Sequence, residues 1–255
     1  MQTHNPATLR LASFNIQAGI GSHRLRHIVT HSHRYVVPHR HAASNLSRIA
    51  GMLEDFDLVA LQEADAGSFR TSFVHQTQHI AELAGFPHWH AQITREVGSI
   101  AKMTLGVMSR LPWERIIQHR LPGSRHGRVA LEIIYKFGDR QVGVFVTHLS
   151  LRKTSRMHQV RFLSKLINNY PAAIFMGDLN CGPDSHEFAY LLSHTRLQDF
   201  IVRPPTFPSW RPLRALDHIM ATDGFSLEDL RTIPVDFSDH LPITALLRLR
   251  PQHKS

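Results

Sequence analysis

The residues of this chain whose types could do chemistry stand at the ends of short apolar runs. Asn15 closes LRLASFN, Glu63 ends LVALQE, His148 ends VFVTH, and Asp178 and Asn180 close IFMGDLN. Asp217 and His218 lie in ALDHI, and Asp239 and His240 in FSDH. Taken singly, an Asp or Asn after a strand more often turns or caps the chain than binds a ligand. Taken together, these carboxylates, amides and imidazoles could converge on one sheet edge, where α/β proteins commonly place sites. Carboxylate and amide oxygens suit hard cations such as Mg²⁺ or Mn²⁺. A cation held by one or two carboxylates leaves the other Asp and His residues for acid–base work and charge stabilisation.

Elements that would position these residues are visible in the hydrophobic pattern. Residues 9–16 begin with apolar–polar alternation, as a half-buried strand does, and residues 57–62 form a short apolar run. Leu46, Ile49, Ala50 and Leu53 recur at helical spacing, with Ser44 or Asn45 expected as the cap. A second helix is expected over residues 75–84, and a third through Met157, Val160, Leu163 and Ile167. Strands are expected at 105–109, 129–136, 141–147, 172–176, 215–221, 230–236 and 243–249, with a turn at Gly138 and Asp139. Four prolines stiffen the loop 203–214, which carries Phe207 and Trp210. Strand–helix–strand units mixed with hairpins predict an α/β protein with mixed sheets, and no linker or repeat divides it, so one domain over residues 1–255 is expected.

Composition narrows the partners without choosing one. The chain has 255 residues, 29 Lys and Arg against 20 Asp and Glu, and a formal charge of +9. No acid precedes Glu54, and none lies between Asp139 and Asp178. Arginine dominates the basic residues, and its planar fork matches phosphate oxygens; an Arg-rich codon bias would give the same excess. No apolar run approaches the ~20 residues that cross a bilayer. The first ten residues lack the apolar stretch of a secretory signal. A cytoplasmic protein is expected, with peripheral membrane contact left open. The one cysteine, Cys181, excludes an internal disulfide and a multi-cysteine zinc site.

The motifs SFNIQAG, ALQEAD, THLS, MGDLNCGPDS, LDHI and SDHLP follow one another over residues 9–249. In that order they resemble the endonuclease/exonuclease/phosphatase superfamily. The resemblance implies a four-layer α-β-β-α sandwich, two mixed sheets flanked by helices, with the site at one sheet edge. It implies Glu63 as the main metal carboxylate, Asn15 beside metal and phosphate, and Asp239 completing or supplementing the metal site. Asp178 would orient or deprotonate the attacking water, with Asn180 holding Asp178 and the scissile phosphate. His240, positioned by Asp217, would meet a non-bridging oxygen, and His148 would contact phosphate or act as leaving-group acid. Neither the general base nor the number of metals follows from the pattern.

The expected activity is that of a Mg²⁺- or Mn²⁺-dependent phosphoester hydrolase, a phosphodiesterase ahead of a phosphatase, its substrate nucleic acid or a phospholipid or glycolipid head group. Around TFPSWRPLRALDHI and SDHLP the chain resembles small bacterial members and domains related to glycosylphosphatidylinositol lipid remodelling. Arg128 and Arg152 are expected to meet a phosphate tail. Trp210 would stack on a base or enter a lipid interface if exposed, and an inward-packed Trp210 is the competing reading. The alternative is a non-catalytic phosphate-binding module on the same fold. His23, His27 and His31 would share one face of a helix, but a loop flanking the site is preferred to a second metal centre.

Overall fold

The computed structural model describes residues 8–19, 42–123, 127–200 and 202–251; the histidine-rich stretch from His23 to His41 lies outside them. Strand β1 (Thr8–Asn15) leads to helix α1 (Ala42–Leu53) and strand β2 (Leu58–Asp65). Helix α2 (Gln76–Leu83) precedes the hairpin of β3 (His88–Val97) and β4 (Ala101–Ser109). Then follow β5 (Arg115–Arg120), β6 (Val129–Phe137), β7 (Arg140–His148), α3 (Lys153–Ile167) and β8 (Ala172–Asp178). Helix α4 (His186–His194) and strands β9 (Asp217–Ala221), β10 (Phe225–Thr232) and β11 (Ile243–Leu249) complete the order.

The strands form two mixed sheets, β10-β11-β1-β2-β4-β3 and β5-β6-β7-β8-β9. Each has one parallel pair, β1 with β2 and β7 with β8, and its other pairs are antiparallel. A parallel pair needs a crossover, and α1 and α3 supply them. Three apolar layers follow from strand alternation. Leu11, Ala60, Val146, Met176 and Ile219 pack between the sheets. Phe14, Val59 and Leu61 face α1 and α2 on one outer side, while Phe145, Phe175 and Met220 face α3 and α4 on the other. The result is the four-layer arrangement.

Several local expectations are corrected. Ser44 and Asn45 lie inside α1 rather than capping it, and Asn45 Nδ2 instead donates to the Gly19 carbonyl at 3.1 Å. The strand expected at residues 230–236 runs earlier, as β10, because its pairing with β11 starts at Phe225. Strands β3 and β5 had no clear sequence signal: both are sheet edges, largely half-exposed, and pair with one neighbour each. Helix α4 was also unexpected. Ser185 caps it, accepting from Phe188 N at 3.2 Å.

Candidate active site

Register brings the polar strand ends together. In the parallel pair β1–β2, Asn15 sits opposite Gln62; in β7–β8, His148 sits opposite Asp178. Strand β9 is antiparallel to β8, so its first residue, Asp217, pairs with Asp178 at the same edge. Parity gives the direction. Asn15, His148, Asp178 and Asp217 each share the face of residues packed between the sheets. His218, one residue on, turns towards α4: its Nε2 lies 3.0 Å from the Cys181 carbonyl and its ring 5.0 Å from Phe188.

Glu63 has the wrong parity, since Val59 and Leu61 face the helices. A β-bulge resolves this. Gln62 pairs with Leu105 and Ala64 with Thr104, leaving Glu63 as the extra residue, in left-handed backbone at φ 57°. Its side chain thereby joins the cleft. A non-glycine residue held there costs of order 1–3 kcal/mol and marks a site by its strain. The strand expected over residues 57–62 runs on past Glu63 to Asp65.

The turn after β8 is built around two further backbone features. Gly177 lies against β7 so closely that a Cβ would stand 2.0 Å from the Thr147 carbonyl oxygen. Asn180 adopts φ 52°, and its backbone N–H donates to Asp178 Oδ1 at 2.8 Å, an Asx-type turn. Asn180 Nδ2 donates to the Leu149 carbonyl at 2.9 Å. Asp178 is thus held from its own turn and, through Asn15 Nδ2 at 3.2 Å, from the opposite sheet. Ser238 Oγ donates to the Asn15 carbonyl at 2.6 Å and ties the FSDH loop to β1.

His240 Nδ1 lies 2.7 Å from Asp217 Oδ2, and its Nε2 4.0 Å from Asp178 Oδ2. His148 Nε2 lies 3.3 Å from the same Asp178 oxygen and 3.9 Å from Glu63 Oε1. The two imidazoles are electrostatically opposed. Burial works against charge on His240, but the carboxylates of Asp217, Asp178 and Asp239 outweigh it and hold its pKa at about 10. Burial, reinforced by Arg128 and His240, pushes His148 well below its ordinary value and keeps it neutral. Burial and the neighbouring Asp217 raise Asp178, with His240, the Asn180 N–H and Asn15 pulling it back. Burial and Asp239 raise Glu63 against the pull of Arg128, His240 and an Asn15 hydrogen bond.

These groups line a cleft of about 470 Å³, together with Gln17, Arg128, Arg156, Phe207, Arg214 and Asp239. The Phe207 ring lies 5.0 Å from that of His240. Asn15, Glu63, Arg128, His148, Asp178, Asn180, Asp239 and His240 all reach the cleft, with Asp217 buried behind His240. Arg152, which occupies the N-cap of α3, lines an adjoining groove. Trp210 is 55% exposed, against the inward-packed reading, and the loop contributes Phe207 and Arg214 to the cleft wall. Gln17 and Ser238 escaped sequence reasoning although both stand in the quoted motifs; only the fold shows that one lines the cleft and the other braces Asn15.

Asp178, Asp217 and His240 bring one potential ligand atom each within 4.8 Å of one another, a buried group that could hold a metal ion. This trio differs from the Glu63, Asp239 and Asn15 set expected from sequence. Two observations favour a cation nearby: among the described residues Asp217 Oδ1 is buried without a hydrogen-bond partner, and the charge of Asp239 raises the pKa of Glu63 as a neighbouring like charge does.

Fold and cleft together define an α-β-β-α sandwich protein with an acid–imidazole centre at one sheet edge. A model of the Endonuclease/Exonuclease/phosphatase family matches residues 12–240, and the chain belongs to that family. Among solved structures it resembles a Beutenbergia cavernae endonuclease/exonuclease/phosphatase, at 23% identity and TM-score 0.72 over 95% of this chain and 72% of that one. A Bacteroides thetaiotaomicron family protein shares 15% identity at TM-score 0.75, covering 96% and 99%. A mannosyl-6-phosphatase of the same species shares 17% at TM-score 0.70, covering 94% and 99%. A comparison with curated proteins gives no match. Among the described residues, no helix is long and apolar enough to cross a membrane.

Proposed function

We propose that the protein is a Mg²⁺- or Mn²⁺-dependent phosphodiesterase. The observation that carries this reading is the convergence of Asn15, Glu63, Asp178 and the Asp217–His240 pair from both sheets onto one arginine-bearing cleft. The donor set fits a hard cation: Glu63 would hold it, with Asn15 and Asp239 contributing oxygens, and the Asp178–Asp217–His240 group as the competing seat. When bound, the ion would neutralise charge on the phosphoryl oxygens.

The chain's own residues account for the rest. His240, kept protonated by Asp217, would donate to a non-bridging oxygen as charge accumulates there. Asp178, fixed by Asn15 and the Asn180 N–H, would orient the attacking water and accept its proton. Neutral His148 would serve as a phosphate contact, beside Arg128. Nucleic acid is the substrate favoured by charge. A lipid head group is the second reading, favoured by the exposed Leu151, Trp210 and Leu213, at 76%, 55% and 69% exposure.

The test is hydrolysis of bis-p-nitrophenyl phosphate with Mg²⁺ or Mn²⁺, by wild type and by Asp178→Asn. Metal-dependent turnover that falls by about a hundredfold or more in the variant is expected. No turnover with this or natural phosphodiesters would favour the phosphate-binding module instead. For natural substrates, nucleic-acid binding should weaken steeply with salt. Lipid binding should instead require vesicles and weaken in Trp210→Ala.

A further inference from the structure

A second cavity, also about 470 Å³, adjoins the catalytic cleft. The two share Glu63, Arg128 and Leu151 in their walls, so the groove continues the cleft past the carboxylate end. Its walls carry Arg95, Arg128 and Arg152, and Glu63 is its one acid among the described residues. Arg95 comes from the edge strand β3, beside a register shift between Ile93 and Arg95. Arg128 precedes β6 in the opposite sheet, and Arg152 caps α3.

Backbone packing brings the first two together. Gly127 at φ 61° lies against β3 so closely that a Cβ would stand 2.5 Å from the Thr94 carbonyl oxygen. Burial and the Arg95 charge disfavour the Arg128 cation, while Glu63 and Asp178 favour it. Among the described residues, none of the three arginines makes a side-chain hydrogen bond or ion pair within hydrogen-bonding reach. The groove's hydroxyls are each engaged: Thr94 Oγ1 donates to the Met103 carbonyl at 3.2 Å, Ser155 Oγ donates to the Gly123 carbonyl at 2.6 Å, and Ser150 Oγ accepts from Gln159 Nε2 at 2.9 Å. Recognition there therefore falls to the guanidinium groups. Glu63 offsets part of the Arg128 charge, while Arg95 from β3 and Arg152 from the start of α3 bring further positive charge into the same groove, an excess that an anion matches. A phosphate, with up to two charges and several acceptor oxygens, suits planar donor forks better than a single carboxylate does.

We propose that this groove is a second anion subsite, in which Arg95, Arg128 and Arg152 hold a second phosphate of a substrate whose scissile phosphodiester occupies the cleft. This rests on the phosphodiesterase reading and adds the substrate class: a molecule with two neighbouring phosphates. A nucleotide chain and a phosphorylated cyclitol head group both offer that chemistry.

Calorimetric titration of the full chain would decide, using thymidine 3′,5′-bisphosphate against each thymidine monophosphate, and inositol 1,4-bisphosphate against inositol 1-phosphate. At least one bisphosphate should bind about tenfold more tightly than its monophosphates, and Arg95→Gln should abolish most of that preference. Arg95 is exposed, so the variant should keep the wild-type thermal transition. A preference confined to the nucleoside pair would identify a nucleotide source, and one confined to the inositol pair a cyclitol source. Equal affinities in both pairs, or a preference that survives Arg95→Gln, would overturn the subsite. If bis-p-nitrophenyl phosphate is not hydrolysed while the preference holds, the cleft reading fails and the anion groove stands.

Discussion

Asp217 touches no cleft surface, yet its carboxylate decides the charge on His240. With Oδ2 2.7 Å from Nδ1, it fixes the imidazole's orientation and stabilises the proton. His240 is active in its protonated form under the proposed mechanism, so activity should fall as pH rises through its pKa. Removing the carboxylate lowers that pKa, because burial then acts with less opposition. Asp217→Asn should therefore move the alkaline limb of the kcat profile down by about one unit or more. A pH–rate profile of the purified variant checks this, and an unmoved alkaline limb with normal turnover would remove His240 from its role. Glu63 is the other decision at this scale. Its bulge spends local strain to turn one carboxylate out of the helix-facing layer and into the cleft.

At the level of elements, the segment after that bulge is anchored by Asp65. This buried carboxylate accepts from Arg70 Nε at 2.7 Å, from Ser68 N and Oγ at 2.8 Å each, and from Lys102 N at 3.2 Å. Burial opposes its ionisation, but Arg70 and these donors prevail and hold its pKa below the ordinary value. A depressed folded-state pKa means the stabilisation is complete above the unfolded pKa and is lost as pH falls through the folded one. Asp65→Asn should destabilise the protein by about 3 kcal/mol near neutrality. It should also flatten the acid-side loss of stability below about pH 4. Urea titrations at several pH values would show both, and parallel acid profiles for variant and wild type would contradict the assignment. Because Asp65 lies two residues beyond Glu63, the variant should lose activity as well.

For the molecule as a whole, the centre exists only when the two sheets are packed. Asn15 and Glu63 come from one, His148, Asp178 and Asp217 from the other, and the Asn15–Asp178 hydrogen bond crosses between them. Separate unfolding of either sheet would expose the apolar layer between them. We therefore expect one cooperative transition, with activity, far-ultraviolet dichroism and tryptophan fluorescence lost at the same urea concentration. Activity lost well before the dichroism would show that the halves unfold separately.

Much of this was legible from residues alone. Alternation in LRLASFN, apolar runs such as VALQ and IFMG, and the Asp, Asn and His at their ends disclosed buried strands with a polar edge. The motif order then implied the sandwich and the family. Those signals are local, because side-chain parity and strand-end chemistry repeat within a few residues. What only the tertiary structure decided depends on pairing between distant segments. Antiparallel β9 brings Asp217 rather than His218 to the edge, a bulge against β4 reverses the direction of Glu63, and edge strands β3 and β5 lack an apolar face strong enough to read. Arg95 carried no signal at all, since its importance comes from Gly127 packing across onto β3. A surplus of arginine was evident in the composition; where the arginines meet is a property of the fold, because hydrogen-bond register and close backbone approach are fixed only when both sheets are in place.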